Sequence, residues 1–137
     1  RTSGLYGKNP CRGKGKNFVD LMLDLAKSNK ELKVVDDEEL SPTNTYFLSY
    51  QILKMLNNNL PNGLYHAVSN GSCTWNDFAK EIFKIKDLNI KVLRAGPNDF
   101  PKKTPRPSFS ALKNTNLDKE DCNYMPDWRE GLKEYLS

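Results

Sequence analysis

Tyr50 and Lys54 stand four positions apart in a stretch with helical periodicity, so one turn brings a phenol beside an ammonium. A lysine placed this way lowers the phenol pKa, and the tyrosine can then donate a proton during hydride transfer. That chemistry also needs a dinucleotide cradle, and the sequence contains no G-x-x-G-x-x-G. The pair therefore reads as a coincidence on a helix surface. The run G-K-N-P-C-R-G-K-G, Gly7 to Gly15, lies between a strand-like stretch and a helix. A phosphate-binding P-loop needs Gly, four residues, then Gly-Lys-Ser/Thr, because the hydroxyl ligates magnesium. Here five residues separate Gly7 from Gly13, and Gly15 stands in place of the hydroxyl. Two readings stay open. Backbone N–H groups and the following helix N-terminus meet a diphosphate, helped by Lys14 or Lys16, or the loop is simply basic and solvated.

Arg106 is held between Pro105 and Pro107 in a segment with four prolines, Pro97, Pro101, Pro105 and Pro107. Its planar fork suits bidentate contact with phosphate, and the alternative is a solvated arginine in a loop. His66, the only histidine, falls mid-strand and reads as a packed or hydrogen-bonded ring. Cys11, Cys73 and Cys122 are odd in number with no C-x-x-C pair, which indicates reduced cytosolic thiols and no zinc site.

The remaining composition narrows the class. A chain of 137 residues makes one domain, 1–137, with room for a core. Hydrophobic residues at 37% and a mean hydropathy of −0.72 describe a polar protein. No apolar run approaches the roughly 20 residues that span a bilayer, and no signal peptide is visible. A cytoplasmic location is expected. The net charge of +4 favours a phosphate-bearing ligand but provides no long basic face for nucleic acid.

Alternating elements must position these groups. Leu5-Tyr6 is strand-like, and Phe18, Met22, Leu25 and Ala26 trace a helical face ending near Ser28-Asn29. Leu32–Asp36 predicts a second strand, followed by four acids, Asp36 to Glu39, read as a solvated strand exit. Pro42 suits a helix approach, Thr43 or Thr45 can cap, and Leu48, Ile52, Met55 and Leu56 share a face. Leu64–Val68 and Ile90–Leu93 predict further strands. Between them Thr74 caps a helix whose buried face is Trp75, Phe78, Ala79, Ile82 and Phe83. An irregular Pro-rich segment, 96–110, precedes a last helix at 127–136, where Asp127 and Glu130 have capping-box spacing. The pattern is α/β.

Five stretches, taken in order, carry a family resemblance. They are R-T-S-G-L-Y-G at 1–7, G-K-G-K-N-F-V at 13–19, V-V-D-D-x-x-x-S-P-T-x-T at 34–45, G-L-Y-H-A-V-S-N-G-S-C-T-W at 63–75 and R-P-S-F-S-A-L at 106–112. The chain resembles the C-terminal, substrate-binding part of the dTDP-4-dehydrorhamnose reductases, extended short-chain dehydrogenase/reductases of the NAD-dependent epimerase/dehydratase type. The resemblance implies an α/β portion without the N-terminal Rossmann part. The parent enzymes reduce a dTDP-4-keto-6-deoxy-sugar with NADPH in deoxysugar and rhamnose biosynthesis, through a Tyr-x-x-x-Lys upstream of the R-T-S strand. By the same resemblance no cofactor is held by this chain, Tyr50 and Lys54 lie in the wrong place, and the chain alone is inactive. Arg106 approaches the diphosphate of a nucleotide sugar, with Asn17, Thr43 and Lys16 as further substrate-binding candidates. The other reading is a non-catalytic binding or regulatory module of the same fold. The first strand, lacking its upstream neighbours, is expected to self-associate. Gly4 stands where many of these reductases have a tryptophan near the sugar. Leu40 replaces a common glycine, Asn44 a tyrosine and Phe47 an aspartate.

Overall fold

The computed structural model describes residues 1–9, 13, 15–96, 99–100 and 106–137. Cys11, Lys14 and part of the Pro-rich segment, including Pro97, Pro101 and Pro105, fall outside that set. The strands form three short pairs. β1 (Leu5–Tyr6) runs parallel to β4 (Thr43–Asn44), and β2 (Glu31–Val34) runs parallel to β6 (Lys91–Arg94). β3 (Glu39–Leu40) is antiparallel to β5 (Cys73–Thr74), with Phe109 bridging Glu39 on its other side. Between them lie α1 (Phe18–Ala26), α2 (Thr45–Asn57), α3 (Trp75–Ile85), α4 (Thr115–Lys119) and α5 (Trp128–Leu136).

α3 is the core helix, and its sequence dictates this. Thr74 caps it by accepting from the Asp77 N–H at 3.2 Å, and Phe78, Ala79, Ile82 and Phe83 all turn inward. Phe78 is a hub. Its ring lies 5.5 Å from Tyr6, 5.7 Å from Phe18 and 5.8 Å from Trp128, centroid to centroid. Each such aromatic pair adds roughly 0.5–1.5 kcal/mol beyond the area it buries. Asn76, on the same helix, donates to the carbonyl of Leu93 at 2.9 Å and of Val34 at 3.3 Å. One amide thereby secures the carboxyl ends of both β2 and β6.

Several expectations change. α1 buries Val19 and Met22, while Leu25 stays exposed. The stretch 64–68 forms no strand; its Ala67 N–H donates to the Arg1 carbonyl at 2.9 Å. The first strand has β4 as a neighbour within the chain, leaving one edge open. The cap of α2 is neither Thr43 nor Thr45. Asn44 accepts from the Tyr46 N–H at 3.0 Å, because Thr43 is committed to the interior and Thr45 already belongs to the first turn. The largest departure is the face of α2. Leu48, Ile52, Met55 and Leu56 do not enter the core, and Gln51 is the helix's one buried residue. The Gln51 amide donates to the Cys122 carbonyl at 2.7 Å, and its oxygen accepts from the Tyr124 N–H at 2.8 Å, so a polar group anchors the helix.

The acidic run is not simply solvated either. Asp36 pairs with Arg94 at 2.7 Å and accepts from the Thr74 hydroxyl at 2.7 Å, while Glu38 is buried. Strand exit and helix cap are thus linked through one carboxylate.

Candidate functional site

β1 and β4 are parallel, so their carboxyl ends open on the same side, where α/β units place ligands. Chain approach there is close. A Cβ added at Gly7, just after β1, would lie 2.0 Å from the Thr45 hydroxyl oxygen, so only glycine fits. Beside it lies an open cavity of about 330 Å³ whose lining includes Lys8, Asn44, Thr45, Ser49 and Glu134. Asn44 organises one wall. Its amide donates to the Gly131 carbonyl at 3.0 Å and to Glu134 Oε2 at 2.9 Å while its oxygen caps α2. The lining combines one cation, one anion and several hydroxyl or amide groups, a set suited to a polar, hydroxyl-rich ligand. Sequence reading missed it because Glu134 arrives from a helix 90 positions away from Asn44. The only local signal was Asn44 as a departure from the resembled pattern.

Asn17 stands at the mouth of α1, with its amide fully used. Its oxygen accepts from the Asp20 N–H at 3.0 Å, and its nitrogen donates to the Gly7 carbonyl at 3.0 Å and the Tyr135 hydroxyl at 2.8 Å. It joins the end of β1 to α1 and α5. Tyr135 also donates to Asp20 at 2.8 Å, and its phenol is raised above the ordinary tyrosine range, by burial first. Thr43 is wholly buried. Its hydroxyl donates to the Ser41 carbonyl at 3.0 Å and accepts from the Ser69 N–H at 3.2 Å. Neither side chain has a free N–H or O–H to offer a ligand.

Lys16 is exposed and bonded to Asp24. Hydrogen bonds from Lys16 first, and then Lys27, pull the Asp24 carboxyl down to about 2. Arg106 is exposed, and no ion pair or hydrogen bond engages it among the described residues. Its position is nevertheless defined. The Ser108 carbonyl accepts from the Glu39 N–H at 2.8 Å, and the Ser110 N–H donates back to Glu39 at 2.8 Å, so the segment docks on β3. Among the described residues no hydrogen bond or ion pair joins Arg106, Asn17, Thr43 and Lys16 to one another. Asn17 and Thr43 share the β1–β4 pair as their frame, and Arg106 is carried by β3 a few residues upstream of β4.

The other singled-out residues have clear surroundings. Lys54 Nζ sits 5.1 Å from the Tyr50 ring centroid and 5.4 Å from that of Tyr124, over the ring faces. That is a cation–π cluster, with the ammonium over π-clouds. His66 Nδ1 lies 3.2 Å from the Lys113 carbonyl, beside a smaller cavity of about 140 Å³. Cys73 is buried, and burial first, with the Asp77 charge second, pushes its thiol up to about 12. Among the described residues no group of three or more metal-ligating side chains assembles, and no helix is long and apolar enough to cross a membrane.

An α/β unit with polar groups gathered at the carboxyl ends of parallel strands is a ligand-binding class of architecture. The RmlD substrate binding domain model matches residues 1–137, and the chain belongs to that family. The spore coat polysaccharide biosynthesis protein SpsK of Bacillus subtilis (strain 168) is 38% identical over 137 residues, 99% of this chain and 45% of that protein. The dTDP-4-dehydrorhamnose reductase of Escherichia coli (strain K12) is 34% identical over 147 aligned residues, covering 100% of this chain and 48% of its own length. A crystal structure of dTDP-4-dehydrorhamnose reductase from Bacillus anthracis, in complex with NADP, superposes with a TM-score of 0.87 at 37% identity. The match covers 99% of this chain and 46% of that one. The chain therefore spans about half the length of the relatives it matches, and its fold is the corresponding portion of the extended short-chain dehydrogenase/reductase-like reductases.

Proposed function

We propose that this chain binds a dTDP-linked 4-keto-6-deoxy-sugar as the substrate-binding portion of an NADPH-dependent reductase. The observation that carries the reading is the family match across residues 1–137. Arg106 is the diphosphate contact, an exposed guanidinium that no carboxylate pairs with among the described residues, carried on a segment locked to β3. Lys16 lies near the start of α1 with its ammonium already paired to Asp24, so it would reach a ligand only by exchanging that partner. Asn17 and Thr43 serve by holding β1, α1 and β4 in place, since their hydrogen-bonding groups are already used.

The described residues do not fit a dinucleotide cofactor. The sequence holds no G-x-x-G-x-x-G, the glycine cradle that lets a backbone approach a dinucleotide pyrophosphate. In this reading a nicotinamide cofactor would be held by the part of such proteins that the chain does not span, and would supply the hydride chemistry there. What these residues do is hold and orient the sugar nucleotide.

Calorimetry with dTDP at low salt tests the assignment. A charge-assisted bidentate contact is worth roughly 1.5–3 kcal/mol, about ten- to a hundredfold in affinity. Arg106→Ala is expected to lose that much, and Arg106→Lys to recover only part, since it keeps the charge without the fork. Lys30→Ala is the control, because Lys30 sits at the amino end of β2, away from the ligand side. Equal losses for Arg106→Ala and Lys30→Ala would reduce Arg106 to diffuse charge and sink the assignment.

A further inference from the structure

Asn-Gly occurs twice in the chain, at Asn62–Gly63 and Asn70–Gly71. Glycine has no side chain to keep its backbone nitrogen away from the preceding carboxamide, so this pair is prone to cyclise. Both asparagines are exposed, and access to water does not separate them. Bonding does. The Asn70 side-chain nitrogen donates to the Met125 carbonyl at 2.6 Å. Its backbone N–H donates to the Pro126 carbonyl at 2.8 Å, and its own carbonyl accepts from the Trp128 N–H at 3.1 Å. Gly71 follows at φ of +81°, with its carbonyl 3.0 Å from the Ser41 hydroxyl, and an added Cβ would lie 3.1 Å from Trp128 Cδ1. Asn62–Gly63 instead lies in the bend between α2 and the stretch 64–68. Among the described residues no hydrogen bond engages either member, and the nearest atom to a Cβ added at Gly63 is a Tyr65 ring carbon at 3.7 Å.

We propose that Asn62–Gly63 is a site of spontaneous covalent modification, yielding isoaspartate and aspartate through a succinimide, and that the fold holds Asn70–Gly71 out of the same reaction. The Gly63 nitrogen attacks the side-chain carbonyl carbon of Asn62. A new C–N bond forms, the carboxamide C–N bond breaks, and the glycine N–H proton departs with the amide nitrogen as ammonia. Water then opens the ring. Addition at the main-chain carbonyl gives isoaspartate, and addition at the side-chain carbonyl gives aspartate; nothing is oxidised or reduced. Cyclisation swings the carboxamide onto the following nitrogen, which an unbonded, open bend permits. At Asn70 the same swing must first break the bond to Met125 and disturb the pairing with 126–128 that leads into α5. The inference rests on bonding and local space, independently of the sugar-nucleotide reading.

The test compares the two sites within one molecule. The chain is incubated at neutral pH in water enriched in heavy oxygen, cleaved with chymotrypsin at Tyr65 to part the sites, and read by mass spectrometry. Asn62 is expected to take up heavy oxygen at least about tenfold faster than Asn70, the scale set by the few hydrogen bonds that must open first. In guanidinium chloride the two rates should converge to within about twofold, because the bonds around Asn70 are gone. An isoaspartyl carboxyl methyltransferase with a labelled methyl donor is the second probe, and label should enter the Asn62 peptide of the native chain and not the Asn70 peptide. Gly63→Ala, which fits the open space, should slow the Asn62 site by at least about tenfold with unchanged circular dichroism. Equal native rates, or faster conversion at Asn70, would overturn the proposal. So would a gap that persists in denaturant, which would assign the difference to the flanking Pro61 and Ser69 instead of the fold.

Discussion

Gly4 has φ of +55°, and a Cβ built there would lie 2.7 Å from Leu40 Cδ1 and 2.9 Å from the Ser41 carbonyl oxygen. The two departures noted in the sequence, glycine at 4 and leucine at 40, are therefore one packing decision. Leu40 fills the space that a side chain at position 4 would take. Gly4→Ala is expected to cost at least about 2 kcal/mol, from backbone strain and overpacking together. Combining it with Leu40→Ala should give a favourable coupling of about 1 kcal/mol in a denaturation double-mutant cycle, and additive losses would break the link. Cys73 offers a pH test. Its folded pKa, about 12, is raised above the ordinary thiol value near 8.5, so folding favours the neutral form. That stability is complete below about pH 8.5 and is lost as pH rises toward 12. Urea unfolding between about pH 9 and 11 should be less pH-dependent for Cys73→Ala than for the parent. Parallel slopes would mean that the thiol does not titrate with unfolding.

At the scale of the element, α2 depends on Asn44 more than on its own apolar residues. The same side chain caps the helix and bonds the carbonyl of Gly131 and the carboxylate of Glu134. Asn44→Ala loses the cap, about 1 kcal/mol, and strands two buried or half-buried acceptors at about 1 kcal/mol or more each. A total of about 3 kcal/mol by urea denaturation is expected. Asn44→Asp keeps the cap acceptor but sets a second carboxylate against Glu134, so it should be no better than Asn44→Ala at neutral pH. A stability equal to the parent for Asn44→Asp would show that the cap alone matters.

For the whole molecule, the expected outcome is that the chain by itself transfers no hydride. The motivation is the lack of a G-x-x-G-x-x-G and a Lys54 ammonium placed over two rings. NADPH oxidation in the presence of a dTDP-4-keto-6-deoxy-sugar is the measurement. Turnover that disappears on Tyr50→Phe would return the Tyr50–Lys54 pair to chemistry and reverse the reading of that helix.

Local physics determined much of this before any tertiary contact was known. The α/β alternation, the cap at Thr74 and the inward run Phe78, Ala79, Ile82 and Phe83 follow from turn chemistry and period alone. So does the failure of Gly7–Gly15 as a P-loop, which is a matter of counting. Periodicity reports which residues share a side, and it is silent on which side finds a partner. That is why the apolar stripe of α2 was legible and its direction was not: Gln51 has two backbone partners in 122–124 and is the one residue of the helix that is buried. Asn17 and Thr43 looked available because a sequence shows residue types, whereas Gly7, Asp20, Tyr135, Ser41 and Ser69 consume their hydrogen bonds only once the chain has closed. The cavity beside Lys8 exists only because α5 returns Glu134 to the start of α2, a contact that no spacing rule reaches.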